Sequence, residues 1–239
     1  FQVVVVVVAL WIVADCGVLL RSKLKLLKLV REKISGTQWE ALFQQSCFNW
    51  VLDQNDWIEN CILIHFMLGR QVKVEGDGNE NVPLYYDITD KFQIQFGIEE
   101  FCLVTGLRFG VENFADYNDP ELPIPFRIRV FPSCYDGEHI TGYMILEIIE
   151  DDVFDRLHHE DAVSLYCRGI LQLVLLGVEA KRRIPDWMLR LANDRVGWDN
   201  YPWGSFVWPT LYSQLKNANV KHWPNEDLIG RHCFFQIID

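Results

Sequence analysis

The sequence predicts an α+β fold: a mainly helical single domain with a small antiparallel β-hairpin sheet and a buried central helix. Three observations support this prediction. Half of the 239 residues are hydrophobic, most segments show helical periodicity, and one stretch, 84–96, alternates apolar and polar residues. Such a chain is too apolar for intrinsic disorder, and no Ser/Gly-rich linker divides it. We therefore expect one hydrophobic core.

The chain divides into three parts: an apolar segment with a basic amphipathic helix (1–37), a folded domain (38–216) and a tail that we expect to be truncated (217–239). Residues 1–20 fit a membrane anchor, a buried core element or translated low-complexity sequence. We favour the last two, because a charged residue in mid-segment, here Asp15, costs about 2.5–3.5 kcal/mol on insertion scales. A signal peptide would also carry its basic residues before the apolar run, and here they follow it.

Residues 21–34 are predicted to form an amphipathic helix, because Leu27, Val30 and Ile34 fall on one face. Within 21–33, six basic residues and one acid give a net charge of +5. A basic helix binds nucleic acid or anionic lipid, although such charges more often form a solvated surface. The net charge of the chain, -11, argues against a general phosphate binder.

Two further helices are expected before the hairpin. Residues 38–46 form a short one, and a capping box at Asp56 and Glu59 begins another that ends near Gly69. His65 lies on this mostly apolar helix, with no second ligand four residues away. It is therefore interpreted as a core histidine rather than a metal ligand.

The alternating stretch predicts a β-hairpin with one buried face. The inward side chains are expected to be Leu84, Tyr86, Ile88, Phe92, Ile94 and Phe96. Residues 98–107 should follow as a short helix, because acidic residues in its first turn suit the helix dipole.

The next segment is less regular. Residues 112–138 contain four prolines and many Asn and Asp, which predicts a loop, with 126–131 supplying one edge strand. Residues 140–149 are apolar enough for a buried helix or strand. Residues 150–161 are half acidic and are expected to contain a short polar helix.

The central element is predicted over 160–178, where apolar residues leave almost no polar face. Helices over 184–193 and 204–215 follow. Five tryptophans crowd this region: Trp187, Trp198, Trp203, Trp208 and Trp223. Rings in this pattern can stack on bases or bind a proline-rich peptide, but we favour the interpretation that they close the core.

Short sequence motifs identify many catalytic and nucleotide-binding sites. GxSxG, GxxxxGK[ST], GxGxxG and HExxH are all absent from the sequence. The order His222 then Asp239 resembles part of a protease triad, but no cysteine follows Cys233 to act as its nucleophile. We therefore expect no catalytic residues.

Metal and cofactor sites are not expected either. The loop 75–81 resembles a calcium loop but has Val82 and Ile88 where Gly and Glu are required. His158, His159, Glu160 and Asp161 are the densest group of potential ligands, yet adjacent histidines on a helix point in different directions. The seven cysteines include no CxxC pair, so reduced and mostly buried thiols are expected.

Three stretches carry a resemblance to a known family: FQIQFGIEEFCLVTGLRFG (92–110), AVSLYCRGILQLVLLGVEAKRRIPDWMLRLAND (162–194) and NYPWGSFVWPTLYSQLK (200–216). The region from Gln38 to Lys216 resembles the plant domain of unknown function 1985 (DUF1985), a transposon-derived family similar to plant mobile domain proteins. Members often precede a SUMO-type (Ulp1-like) cysteine protease domain. The family has no assigned catalytic residues, so none is transferred.

The resemblance implies a non-catalytic protein-interaction module whose protein partner is unknown. One alternative is a nucleic-acid-binding module that uses 21–33 and 181–183; another is a hydrolase, phospholipase-like by label only, with no recognisable motif. No small-molecule ligand or cofactor is predicted. A nuclear or cytoplasmic location is favoured, with membrane anchoring by 1–20 as the minority interpretation.

Overall fold

The computed structural model describes residues 13–14, 17–18, 24–51, 66–72 and 79–217. Its strands are β1 (Val13–Ala14), β2 (Gly17–Val18), β3 (Leu84–Thr89) and β4 (Phe92–Phe96). Its α-helices are α1 (Leu24–Ile34), α2 (Gln38–Gln44), α3 (Ile98–Thr105), α4 (Pro125–Val130), α5 (Gly142–Glu150), α6 (His159–Gly169), α7 (Asp186–Leu191), α8 (Arg195–Asn200) and α9 (Trp203–Asn217). The 3₁₀-helices are Asn49–Val51, Ala115–Tyr117, Ser133–Tyr135 and Phe154–Arg156.

The core is built around α6 and the π-helix Ile170–Leu175 that continues it. Every residue from Asp161 to Leu175 is buried. Helices α2, α4 and α5 pack against α6, and α1 packs against the π-helix. The predicted mainly helical α+β fold with a buried central helix is therefore confirmed.

Helix α1 belongs to the same core, because its apolar face is fully used. Leu27, Val30 and Ile34 are buried in one cluster with the central helix, as the periodicity predicted, and Leu26 is buried with them. The methyl group of an alanine at Gly169 would come within 3.0 Å of Leu26. This close approach shows how tightly α1 is seated on the central helix.

The predicted hairpin is present, but one of the side chains that were predicted to face the core is exposed. Strands β3 and β4 pair antiparallel, with Leu84 opposite Phe96 and a register shift between Asp87 and Thr89. Leu84 and Phe96 are buried, whereas Phe92 is 57% exposed. The shift falls next to the turn and breaks the inward alternation there, so the prediction that Phe92 faces the core was wrong.

Residues 126–130 belong to helix α4, so the predicted edge strand over 126–131 was also wrong. Pro125 stands in the first turn of α4, where its fixed φ suits a helix start. Phe126 and Val130 are buried four residues apart, while Ile128 between them is 78% exposed. Alternation would have put all three on one face, but the core contacts follow the helical period instead.

In the C-terminal half, the observed helices differ in extent from the predicted ones. The central helix changes to π geometry after Gly169 and ends at Leu175, before Gly177 with φ +57°. The helix expected over 184–193 spans only Asp186–Leu191. Helix α8 was not predicted; it begins because Asp194 accepts a hydrogen bond from the backbone N–H of Gly197 at 2.9 Å.

Some predicted features lie outside the described residues: the capping box at Asp56, His65, most of the loop 75–81, and the pair His222 and Asp239. Of residues 1–20, only the short hairpin of β1 and β2 is described, with Val13 opposite Val18. Among the helices that the structure describes, none has the length and apolar character needed to cross a bilayer.

Candidate interaction groove

An open groove of about 370 Å³ lies between the loop 111–124 and the start of α7. Its lining combines two prolines, one tryptophan, one amide and three charged side chains: Asn118, Pro120, Arg183, Pro185, Asp186, Trp187 and Arg190. We call this feature the Trp187 groove. The two walls are about 70 residues apart in sequence, so long-range contacts must hold them together.

Arg190 holds the loop against α7. Its side chain is 8% exposed, and its Nε and Nη1 donate to the carbonyl oxygens of Leu122 and Tyr117 at 3.0 and 3.1 Å. Hydrogen bonds from a charged donor are worth about 1.5–3 kcal/mol each. The loop is therefore fixed at two points, five residues apart.

A third contact fixes the same loop to the cap of α8. The hydroxyl of Tyr117 donates to Oδ2 of Asp194 at 2.7 Å, while Oδ1 of that carboxylate caps α8. Burial, and then the hydrogen bond to Asp194 and its charge, raise the pKa of Tyr117 to about 12. The neutral phenol is thus the stable form at physiological pH, and it acts as a structural donor.

The Trp187 ring forms the aromatic centre of the groove. It lies 5.4 Å from the ring of Phe114 at an interplanar angle of 30°, and 5.7 Å from the ring of Tyr201. Phe206 contacts it edge-on at 5.8 Å. Since Trp187 is half-buried and Phe114 is 40% exposed, the cluster presents aromatic surface to solvent.

Two hydrogen-bond donors of the groove are unused within the described part of the chain. The indole Nε1 of Trp187 donates to no residue there, and the side-chain amide of exposed Asn118 is likewise unpaired. By contrast, Arg183 is bound to Asp186 at 2.8 Å, and Arg190 is committed to carbonyls. The groove therefore offers neutral donors beside an aromatic surface.

Charge is distributed unevenly around the Trp187 groove. The loop 111–124 carries four acids, Glu112, Asp116, Asp119 and Glu121, and no basic residue. The exposed residues Lys181, Arg182 and Arg183 precede α7 in the sequence, and of these three Arg183 lines the groove. Apolar side chains at the loop add to the exposed surface: Val111 is 91% exposed and Leu122 is 42% exposed.

A second groove, of about 650 Å³, lies at the hairpin. It is lined by mostly polar residues of 69–72, 87 and 89–93, including Arg70, Asp87 and Lys91. Phe92 is the aromatic residue that lines this second groove. Neither groove is lined by a cysteine or histidine.

The potential metal ligands at the start of α6, residues 158–161, make structural contacts instead. Trp39 donates from Nε1 to Nδ1 of His159, and Asp161 accepts two hydrogen bonds from Arg129 at 2.8 Å. His158 and His159 stack on each other. Across the described ranges, no group of three or more His, Cys, Asp or Glu side chains is placed to hold a metal ion.

The four described cysteines carry free thiols, and two of them, the half-buried Cys47 and the buried Cys167, lie beside α8. Burial raises the pKa of Cys47 strongly and that of Cys167 to about 12. The Asp199 carboxylate raises both values further, although Arg195 opposes it. Because the thiolate is the nucleophilic form, neither thiol is poised for attack. Cys102 is half-buried rather than buried as expected.

The tryptophans mostly close the core, as predicted. Trp198, Trp203 and Trp208 are buried, with Trp198 and Trp203 in contact at 4.6 Å. Trp187 is the exception, and Trp223 lies outside the described residues. The sequence therefore named the central ring of the groove without distinguishing it from core tryptophans.

The interior contains one unusual charge. Arg168 is fully buried, and it donates from Nη2 to Gln172 at 3.2 Å. Its Nε and Nη1 have no partner in the described structure, and the same holds for the buried indole nitrogens of Trp50 and Trp198 and the Tyr166 hydroxyl. Burial lowers the pKa of Arg168 to about 9. A charge in this position is costly to folding.

Comparisons with protein-family models, curated proteins and solved structures find no match for this chain. The resemblance of residues 38–216 to the plant DUF1985 family therefore stays a prediction. The functional argument rests on the geometry of the chain itself.

Proposed function

We propose that this chain is a protein-interaction module that binds a partner at the Trp187 groove. The observation that carries the proposal is the half-buried Trp187 in contact with the exposed Phe114, with an indole donor that no described residue satisfies. Aromatic side chains with one polar end are enriched at interfaces because they combine large apolar area with a directed hydrogen bond.

The rigidity of the loop supports the same function. Arg190 and Asp194 hold Tyr117 and Leu122 in place, so the groove exists before a partner arrives. A preformed surface binds more tightly because less conformational entropy is lost on association. The DUF1985 resemblance adds the expectation that such a module directs a SUMO-type cysteine protease to its partners.

Nucleic-acid binding is less well supported. Several cations of the two basic segments already have acidic neighbours: Lys28 with Glu32, Lys33 with Asp155, Lys181 with Glu179, and Arg183 with Asp186. The buried Trp198, Trp203 and Trp208 are not accessible for stacking on bases. A hydrolase would need an aligned nucleophile and base, and neither described groove provides one.

The proposal is tested by selecting random 16-residue peptides displayed on phage against the full 239-residue chain. Each selected peptide is then measured against a Phe114→Ala, Trp187→Ala double variant and a Phe92→Ala control. Phe92 is an exposed phenylalanine of the other groove, so it controls for loss of an aromatic ring. We expect peptides that bind the original chain and the control but lose at least about tenfold in affinity for the double variant.

Two outcomes would contradict the proposal. Selection could yield no peptide that depends on the Trp187 groove. Alternatively, the chain could bind a 20-nucleotide single strand at physiological salt, lose that binding in a Lys181→Glu, Arg182→Glu variant and keep it in the double variant. The second outcome would favour the nucleic-acid function instead.

A further inference from the structure

We propose that the partner presents a proline-rich segment in the polyproline II conformation, with Lys or Arg at the end that lies over the acidic loop 112–121. This inference rests on the proposed interaction function and names the class of its ligand. Three features of the Trp187 groove point to this ligand: its aromatic surface, its unused donors and its uneven charge.

The donors match what a proline-rich backbone needs. Proline has no backbone N–H, and the polyproline II helix makes no internal hydrogen bonds, so its carbonyl oxygens are free acceptors that need donors. The groove offers two neutral donors unused by the described chain, the Trp187 indole N–H and the Asn118 amide. A β-strand ligand would instead pair along an exposed sheet edge, whereas this groove is lined by loop residues and the start of a helix.

The surface also matches the shape of such a peptide. Polyproline II has three residues per turn and a rise of about 3.1 Å per residue, so one turn spans about 9 Å. Flat proline rings pack against aromatic rings, and Trp187, Phe114, Pro120 and Pro185 provide apolar surface. A groove of about 370 Å³ admits a short peptide rather than a folded element. The ligand is already extended, so little conformational entropy is lost when it binds.

The charges around the groove set the orientation of the bound peptide. Glu112, Asp116, Asp119 and Glu121 lie on the loop side without a basic neighbour in that segment. On the α7 side the groove is lined by Arg183 and Asp186, whose charges compensate each other, so the net charge lies on the loop. A basic residue of the ligand therefore belongs over the loop, where complementary charge mainly accelerates association and enforces register.

The test uses three synthetic peptides and the full chain: RRPPAPPAPP, its charge-reversed form EEPPAPPAPP and its proline-free form RRGGAGGAGG, all with blocked ends. Binding is followed by the indole N–H signals in two-dimensional ¹H–¹⁵N NMR spectra, with the Trp187 signal assigned from its loss in Trp187→Phe. We expect RRPPAPPAPP to shift the Trp187 signal. The charge-reversed peptide should bind at least several-fold more weakly, and the glycine peptide should not bind.

Two variants test the donors, and their affinities are measured by isothermal titration calorimetry because Trp187→Phe removes the reporter signal. Trp187→Phe keeps an aromatic ring and removes only the N–H, so we expect affinity for RRPPAPPAPP to fall about 2- to 10-fold, the equivalent of one neutral hydrogen bond. Asn118→Ala, at an exposed position, should cause a fall in the same range without affecting folding. Phe92→Ala should bind unchanged.

The inference is overturned if RRPPAPPAPP leaves the Trp187 signal in place, or if the glycine peptide binds as well as the proline peptide. This failure is distinguishable from failure of the interaction function. Phage selection that yields groove-dependent peptides without proline would keep the function and reject this ligand. Selection that yields no groove-dependent peptides would reject both.

Discussion

Two buried arginines should respond in opposite ways to the same substitution. Arg168 and Arg190 are both buried. Arg190 donates to two backbone carbonyls, whereas among the described residues Arg168 has a single bond, to Gln172, and two unpaired nitrogens. Methionine matches the aliphatic part of arginine and carries no charge. We expect Arg168→Met to stabilise the protein and Arg190→Met to destabilise it.

The magnitude for Arg168 follows from the cost of burying its charge. Burial lowers its pKa from 12.5 to about 9, which corresponds to about 5 kcal/mol against the charged form. At pH 7 the guanidinium is charged in both the folded and unfolded states, so the folded protein bears this cost in full. Losing the Gln172 bond and part of the side-chain packing offsets about 2 kcal/mol. The expected gain in unfolding free energy is about 2–3 kcal/mol.

For Arg190→Met the expected change in unfolding free energy has the opposite sign. Its removal leaves the carbonyl oxygens of Leu122 and Tyr117 without their donor, at a cost of about 1.5–3 kcal/mol for each charged hydrogen bond. Water can reach part of this loop and recover some of that loss. We expect Arg190→Met to lower the unfolding free energy by about 2–3 kcal/mol.

The measurement is urea unfolding at pH 7, followed by tryptophan fluorescence and far-UV circular dichroism. Coincident transitions and unchanged m-values would show that the variants differ only in stability. Arg168→Lys serves as a control, because it keeps a buried charge and should not be stabilised. Loss of stability in Arg168→Met, of the size expected for Arg190→Met, would refute the reasoning and mean that the Arg168 guanidinium has a counter-charge after all.

Three further predictions follow from the packing around the groove and the central helix. Asp194→Asn should lower the pKa of Tyr117 from about 12 towards 10, because the carboxylate no longer opposes phenolate formation. Burial of Tyr117 should keep its pKa above 10. A spectrophotometric titration of the variant against the original chain measures the change in the pKa. Since a raised tyrosine pKa contributes stability below its ordinary value and loses it as pH rises, the original chain should lose stability between pH 10 and 12 more steeply than Tyr117→Phe. Gly142→Ala should lower the melting temperature by several degrees, since its new methyl group would lie 2.7 Å from Leu173 and must displace the core; an unchanged melting temperature would show that the contact relaxes freely.

The elements that sequence patterns predicted correctly are those whose burial follows their own period. In α1, three apolar residues at helical spacing are all buried, and the 84–89 alternation gives β3. The error at 126–131 has a physical cause. Its pattern fits both periods over six residues, and only the surrounding helices, which bury Phe126 and Val130 but not Ile128, select the helix.

The Trp187 groove could not be predicted in the same way. Its two walls come from 111–124 and from α7, and neither shows a periodic pattern that indicates contact with the other. Tryptophan content alone does not identify the site, because Trp198, Trp203 and Trp208 are core residues. What distinguishes Trp187 is a half-buried ring in contact with the exposed Phe114, a property that appears only after folding.

The contacts that make the groove rigid also make its function testable without touching the ligand surface. Asp194 bonds Tyr117 and caps α8, so it links the loop to the helix that leads into Tyr201, a neighbour of Trp187. If preorganisation matters, Tyr117→Phe should weaken peptide binding although its hydroxyl is already occupied by Asp194 and is not free to contact the ligand. The loss should be entropic, because a loop freed at one of its anchors must be ordered again on binding.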